Sequence, residues 1–142
     1  MNLLSRITAW ISALFAPARV QDQARERIPE PEAPVLFPSI TFVNRPPRNE
    51  AIASGHLYCV MNTNKPKWVL FKCPCGCGSV VTLSLQSVHR PHWRLTRTQA
   101  RRPTLYPSVW RDKGCHSHFW LRDGRVSWCF DTGTHPDLRR SH

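Results

Sequence analysis

Three thiols fall within one short run, Cys73-Pro74-Cys75-Gly76-Cys77-Gly78, and a second cluster follows at Cys115-His116-Ser117-His118. Cysteines this close in a tight turn do not readily reach the Cα separation and torsion of a disulfide. Glycine lets the backbone turn with amide N–H groups facing inward, where they stabilise thiolates. Soft, deprotonated ligands drawn from two separate chain segments are what Zn²⁺ requires, at about 2.3 Å for sulfur. Five candidates, Cys73, Cys75, Cys77, Cys115 and His118, exceed the four positions of a closed tetrahedral site, so one is left as a neighbour or a free thiol. Four protein ligands make the ion structural, and three plus water make it catalytic. His116 is a replacement for His118 in the ligand set. The competing reading is a disulfide framework, supported by the even number of cysteines, six in all. Cys59 and Cys129 lie in strand-like runs and read as small buried hydrophobes. His56, His89, His92 and His135 read as surface residues.

The elements that must position these groups are short strands. The pattern places strands at Ser39–Val43, Gly55–Met61, Trp68–Lys72 and Val80–Leu85, the last alternating Val81, Leu83 and Leu85 with Val80, Thr82 and Ser84. Asn62 to Pro66 reads as a hairpin turn. Phe119–Leu121 and Val126–Phe130 form the clearest hairpin, with Asp123-Gly124 at its tip. Before the strands, Leu3, Leu4, Ile7, Trp10, Ile11, Leu14 and Phe15 recur at helical spacing over residues 2–15, and Pro17 ends the run. Such a helix docks on protein, lies in a membrane surface, or serves as a signal peptide; we read the protein as cytoplasmic. Residues 21–34 carry Glu30-Pro31-Glu32-Ala33-Pro34 and are linker-like.

Charge divides the chain in the same way. Residues 1–50 hold six basic and five acidic residues, whereas residues 51–142 hold fourteen and four, within an overall charge of +11. The expected organisation is an amphipathic helix over 1–16, a Pro- and charge-rich linker over 17–50, and a basic zinc-binding domain over 51–142. A body this small gains substantially from a metal staple, which favours a structural ion. The composition excludes collagen-like and wholly disordered chains, and no apolar run reaches the ~18 residues of a membrane-spanning helix.

The Cys-x-Cys-Gly-Cys-Gly run is followed in order by Trp93-Arg94-Leu95, Thr104-Leu105-Tyr106-Pro107-Ser108-Val109, Cys115-His116-Ser117-His118-Phe119-Trp120-Leu121 and Gly124-Arg125-Val126-Ser127-Trp128. In this order the motifs closely resemble BubE-like proteins, small bacterial proteins of operons for ubiquitin-like conjugation, over residues 55–130. The resemblance implies a ubiquitin-like modifier, an adenylating activating enzyme and a conjugating enzyme as partners, and a peptidase-like role in maturing or removing the modifier. Its motifs carry over at Cys73, Cys75, Cys77, Pro107, Ser108, Cys115, Ser117 and His118. Two positions depart: Phe71 stands where the family usually has His, and Val109 is followed directly by Trp110-Arg111 where the family continues Gly-Asn-Trp.

A peptidase needs a nucleophile, a base within reach of it and donors for the oxyanion. Ser108, presented after Pro107 at a strand end, is the first candidate nucleophile, and Ser117, beside the expected metal, the second; ordinary turn or capping hydroxyls are the bland reading of both. If His118 binds metal its lone pair is occupied, and His116 is the nearest base. If the four cysteines close the site, His118 is free to be the base. A zinc-bound water is a third route, disfavoured because no His-Glu-x-x-His motif occurs. Asp112, Asp123 and Asp131 could orient a histidine, but each reads as a surface charge.

Arg90, Arg94, Arg97, Arg101, Arg102, Arg111 and Lys113 surround Trp93, Tyr106 and Trp110, a mixture that also suits nucleic acid or an acidic protein. A membrane partner is not expected. The expected fold is a mainly β, small α+β domain: a zinc-stapled antiparallel structure, ribbon-like or treble-clef-like, after an amphipathic helix. The expected function is a peptidase acting on the C-terminal tail of a ubiquitin-like modifier, with Trp93, Trp110 and Trp120 gripping the tail, Ser108 or Ser117 attacking, and Zn²⁺ as cofactor. The alternative is a non-catalytic zinc module, either a ligase-like adaptor or a nucleic-acid binder.

Overall fold

Period-two alternation becomes a sheet in the computed structural model, which describes residues 31–139; one face meets the main core, and on the other Val60 and Leu70 pack with Ile52 in a smaller cluster. Strands β1 (Ile40–Val43), β2 (Leu57–Asn62), β3 (Lys65–Lys72) and β4 (Val80–Ser84) form a four-stranded sheet in that order. Leu57 and Cys59 of β2, Val69 and Phe71 of β3, and Val81 and Leu83 of β4 are all buried. The β2–β3 and β3–β4 pairs are antiparallel, whereas β1 runs parallel to β2. Thr63 and Asn64, with φ of 48° and 60°, make the tight turn between β2 and β3, the left-handed pair of values that matches strand twist in a two-residue hairpin.

Two smaller antiparallel sheets complete the body. One pairs β5 (Arg94–Arg97) with β6 (Pro103–Tyr106), and the other runs in the order β7 (Val109–Trp110), β8 (His118–Arg122), β9 (Arg125–Trp128). The structure is therefore mainly β, as the sequence predicts, and the β8–β9 hairpin turns at Asp123-Gly124. Three rings join the layers. Phe71 meets Phe37 edge-on at 5.3 Å and Phe119 at 6.4 Å, and all three are fully buried.

Within the span 17–50, the strand expected at Ser39–Val43 is β1, and residues ahead of it are also built into the fold. Phe37 is a core residue, Val35 bridges Arg125, and Ile40–Val43 pairs with β2. The strap is held by Leu36 N and Phe37 N, which both donate to Gly124 O at 2.8 and 2.9 Å, while Gly124 N donates to Pro103 O. Gly124 has φ of +70°, and a Cβ built there would approach Phe37 O well inside 3.0 Å. Only glycine fits both demands. Residues 33–139 form one compact unit. The helix expected over residues 2–15 lies outside the described residues, and no helix among those described is long and apolar enough to cross a membrane.

Candidate functional site

The β3–β4 connection carries three of the thiols. Cys73 N donates to Ser79 O, Gly76 N returns to Cys73 O, and Gly76 and Gly78 take φ of +86° and +78°, so the loop curls back over itself. Cys115 arrives from the segment ahead of β8. The Sγ atoms of Cys73, Cys75, Cys77 and Cys115 all lie within 4.8 Å of one another. Cys73 Sγ is 3.4 Å from Cys75 Sγ and 3.8 Å from Cys115 Sγ. A tetrahedron with metal–sulfur arms of ~2.3 Å has edges of about 3.8 Å, so the group fits a tetrahedral metal ion held by four thiolates.

The surroundings of this group favour thiolate at Cys77 and Cys115. Burial pushes the Cys73 thiol up to about 12. At Cys115 burial also opposes ionisation, but hydrogen bonds from the Ser117 side chain and backbone, with those of Cys75 and Cys73, bring the thiol down to about 6. Ser79 lowers Cys77 in the same manner. Arg111 Nη1 stands 3.4 Å from Cys77 Sγ and 3.5 Å from Cys115 Sγ, a cation set against the cluster.

Of the five expected ligands, His118 belongs to a different group. In the β7–β8 register Trp110 faces His118 and Val109 faces Phe119. Ser108, two residues before Trp110, is thus the diagonal neighbour of His118 on the same face. Ser108 Oγ lies 3.0 Å from His118 Nε2, and His118 Nδ1 lies 2.6 Å from Asp131 Oδ1. The neutral tautomer consistent with both contacts donates from Nδ1–H to the carboxylate and accepts the serine proton at Nε2.

The ring is fixed from several sides. The Trp110 indole lies parallel to it at 4.3 Å and 1° and donates to Thr134 O at 3.1 Å. His118 N donates to Thr132 Oγ1, and Cys129 N donates to His118 O. Asp131 is buried, which corrects its reading as a surface charge. The bond from Cys129 continues the β8–β9 ladder, whose Phe119–Trp128 pairing returns the chain to His118. Extending that hairpin register would have brought Asp131 into view.

The remaining candidates divide. Ser117 is buried with its Oγ 3.1 Å from Cys115 Sγ, so this hydroxyl serves the thiol cluster. His116 packs its ring against His135 at 5.0 Å, and its buried Nδ1 has no hydrogen-bond partner among the described residues. Ser108 and His118 open onto a groove of about 660 Å³ walled by β4, Trp93, Trp110 and Arg111. Trp93 Nε1 donates to Ser108 O at 3.2 Å. Trp120 lies instead against Tyr106, with the Arg122 guanidinium over its face at 4.3 Å. Part of the basic stripe is likewise engaged: Arg102 pairs with Asp123, Arg94 covers Tyr106, and Arg90 bonds its own loop at Ser87 O.

A model of a family described as bacterial ubiquitination-like system serine protease (BubE) matches residues 42–129. That span contains the four thiols, Ser108 and His118, and Asp131 lies just beyond it. No curated protein and no solved structure matches the chain.

Proposed function

We propose, from the premise that the chain belongs to the BubE family of bacterial ubiquitination-like system serine proteases, that it hydrolyses the C-terminal tail of a ubiquitin-like modifier with Ser108, His118 and Asp131. One observation carries the reading: a serine hydroxyl, an imidazole and a buried carboxylate form a single hydrogen-bonded relay at 3.0 and 2.6 Å. Ser108 Oγ attacks the scissile carbonyl while His118 Nε2 takes its proton. The imidazolium is held by Asp131 and then delivers the proton to the leaving amine. Water, activated by the same ring, releases the acid product from Ser108. Trp93 and Trp110 form the sides of the groove along which the tail lies.

Zinc is the metal that four thiolates at these separations suit best. Cys73, Cys75, Cys77 and Cys115 would hold it. Four protein ligands make it a structural cross-link between the β3–β4 loop and the segment leading into β8. With all four positions supplied by sulfur, His118 keeps its lone pair for Ser108. The pathway's activating and conjugating enzymes are the partners this role entails. The test is incubation with a tail-extended ubiquitin-like protein from the same operon. Wild type and Ser117→Ala process the tail, and Ser108→Ala does not; equal processing by Ser108→Ala overturns the serine mechanism.

A further inference from the structure

The strand that walls the groove has an unused edge. In the β3–β4 ladder Cys73 N donates to Ser79 O and Leu85 N to Lys67 O. With Phe71 opposite Val81 and Val69 opposite Leu83, the odd-numbered residues of β4 are those that exchange bonds with β3. Val80, Thr82 and Ser84 therefore turn their N–H and C=O groups the other way, and Trp93 N meets Ser84 O there at 2.7 Å. β4 is the last strand of its sheet. Among the described residues, the outward main-chain groups of Val80 and Thr82 have no backbone partner.

This open edge and the Ser108–His118 pair face the same groove. Trp93 joins them: its main-chain nitrogen closes the edge at Ser84, and its indole holds Ser108 O. The free length of β4 thus ends where the serine begins. Donors and acceptors alternating at two-residue spacing match an extended polypeptide, which offers the complementary alternation.

We infer that the substrate enters as an extended tail that adds a strand to the free edge of β4, exchanging main-chain hydrogen bonds with Val80 and Thr82 and presenting its scissile carbonyl to Ser108. The inference rests on the peptidase reading for that last step, whereas binding at the edge stands apart from it. Recognition is of main chain in an extended form, with two tail residues engaged and the residue between them turned away.

A peptide of the ubiquitin-like precursor's tail, methylated in turn at each main-chain nitrogen, tests the inference with full-length Ser108→Ala protein and fluorescence anisotropy. Loss of one donated bond lowers affinity about tenfold. The expected loss falls on two positions separated by one residue that tolerates methylation. A response without that alternation overturns the inference. Thr82→Pro removes an outward N–H and no bond to β3, a place where an edge strand accepts proline. It should lower tail cleavage about tenfold relative to fluorophosphonate labelling of Ser108, and an unchanged ratio overturns the inference. If Thr82→Pro does not fold, the methylation series decides alone. Alternating binding to Ser108→Ala with no hydrolysis by wild type retains the edge and removes the peptidase. Hydrolysis by wild type without alternation does the reverse.

Discussion

Trp110 and His118 face each other across the β7–β8 pair with their rings parallel, at 4.3 Å and 1°. The stack limits the imidazole to the rotation that serves Ser108 and Asp131 together. Offset aromatic contacts of this kind contribute about 0.5–1.5 kcal/mol. Trp110→Ala should lower kcat roughly tenfold while KM changes less, with Trp110→Phe recovering most of the loss. A Phe variant no better than Ala would show that the indole acts elsewhere, for example through its bond to Thr134.

Asp131 sets the tautomer of His118. Asp131→Asn keeps the volume but presents an amide, so the ring can turn its Nδ1 lone pair inward and point Nε2–H at Ser108. A fall in kcat of about 10⁴ is expected with little change in melting temperature. Steady-state hydrolysis and a thermal melt on the same preparation check both halves.

Metal content should be one zinc per chain by elemental analysis in reducing buffer. Cys73→Ser or Cys115→Ser, each removing a thiol from one of the two joined segments, should lose the ion and lower the melting midpoint by about 10 °C or more. Hydrolysis should fall with it. Retention of full metal in Cys115→Ser would exclude the four-thiol site.

Gly124→Ala should destabilise the fold by about 3 kcal/mol, because the methyl meets Phe37 O and the backbone holds positive φ. Gly133→Ala is the control. Its φ of +86° is as demanding but nothing lies within 4 Å of the added Cβ, so the cost there is about 1 kcal/mol. Denaturant melts of the two variants separate the close approach from the backbone term.

Much of this arrangement is legible in residue order, for reasons that differ by element. β4 alternates through Val81, Thr82 and Leu83, the β8–β9 turn has Asp-Gly at its tip, and the spacing of the thiol run suits a metal better than a disulfide. The β5–β6 pair is not legible. Arg94–Arg97 and Pro103–Tyr106 are short, rich in Arg and Thr, and owe their pairing to Leu95 and Leu105 packing on the core. Phe37 was hidden because proline and charge around it resemble a linker, while its burial depends on a glycine far along the chain. Asp131 was hidden for a related reason: a lone carboxylate among polar residues looks solvated until the hairpin register carries it to His118. The choice between His118 as ligand and as base turns on which face of β8 meets the thiols. Ser117 takes that side, and its neighbour takes the other.

Ser108, His118 and Asp131 all come from one uninterrupted meander that starts at the foot of β7 and ends just past β9. Such a triad needs no distant parts of the chain to be brought together, so its members become neighbours as soon as one small antiparallel unit closes. On the proposed reading, the rest of the molecule is then released to vary around a self-contained unit: β4 can change what the groove admits, and the thiol cluster can change how firmly the meander is seated.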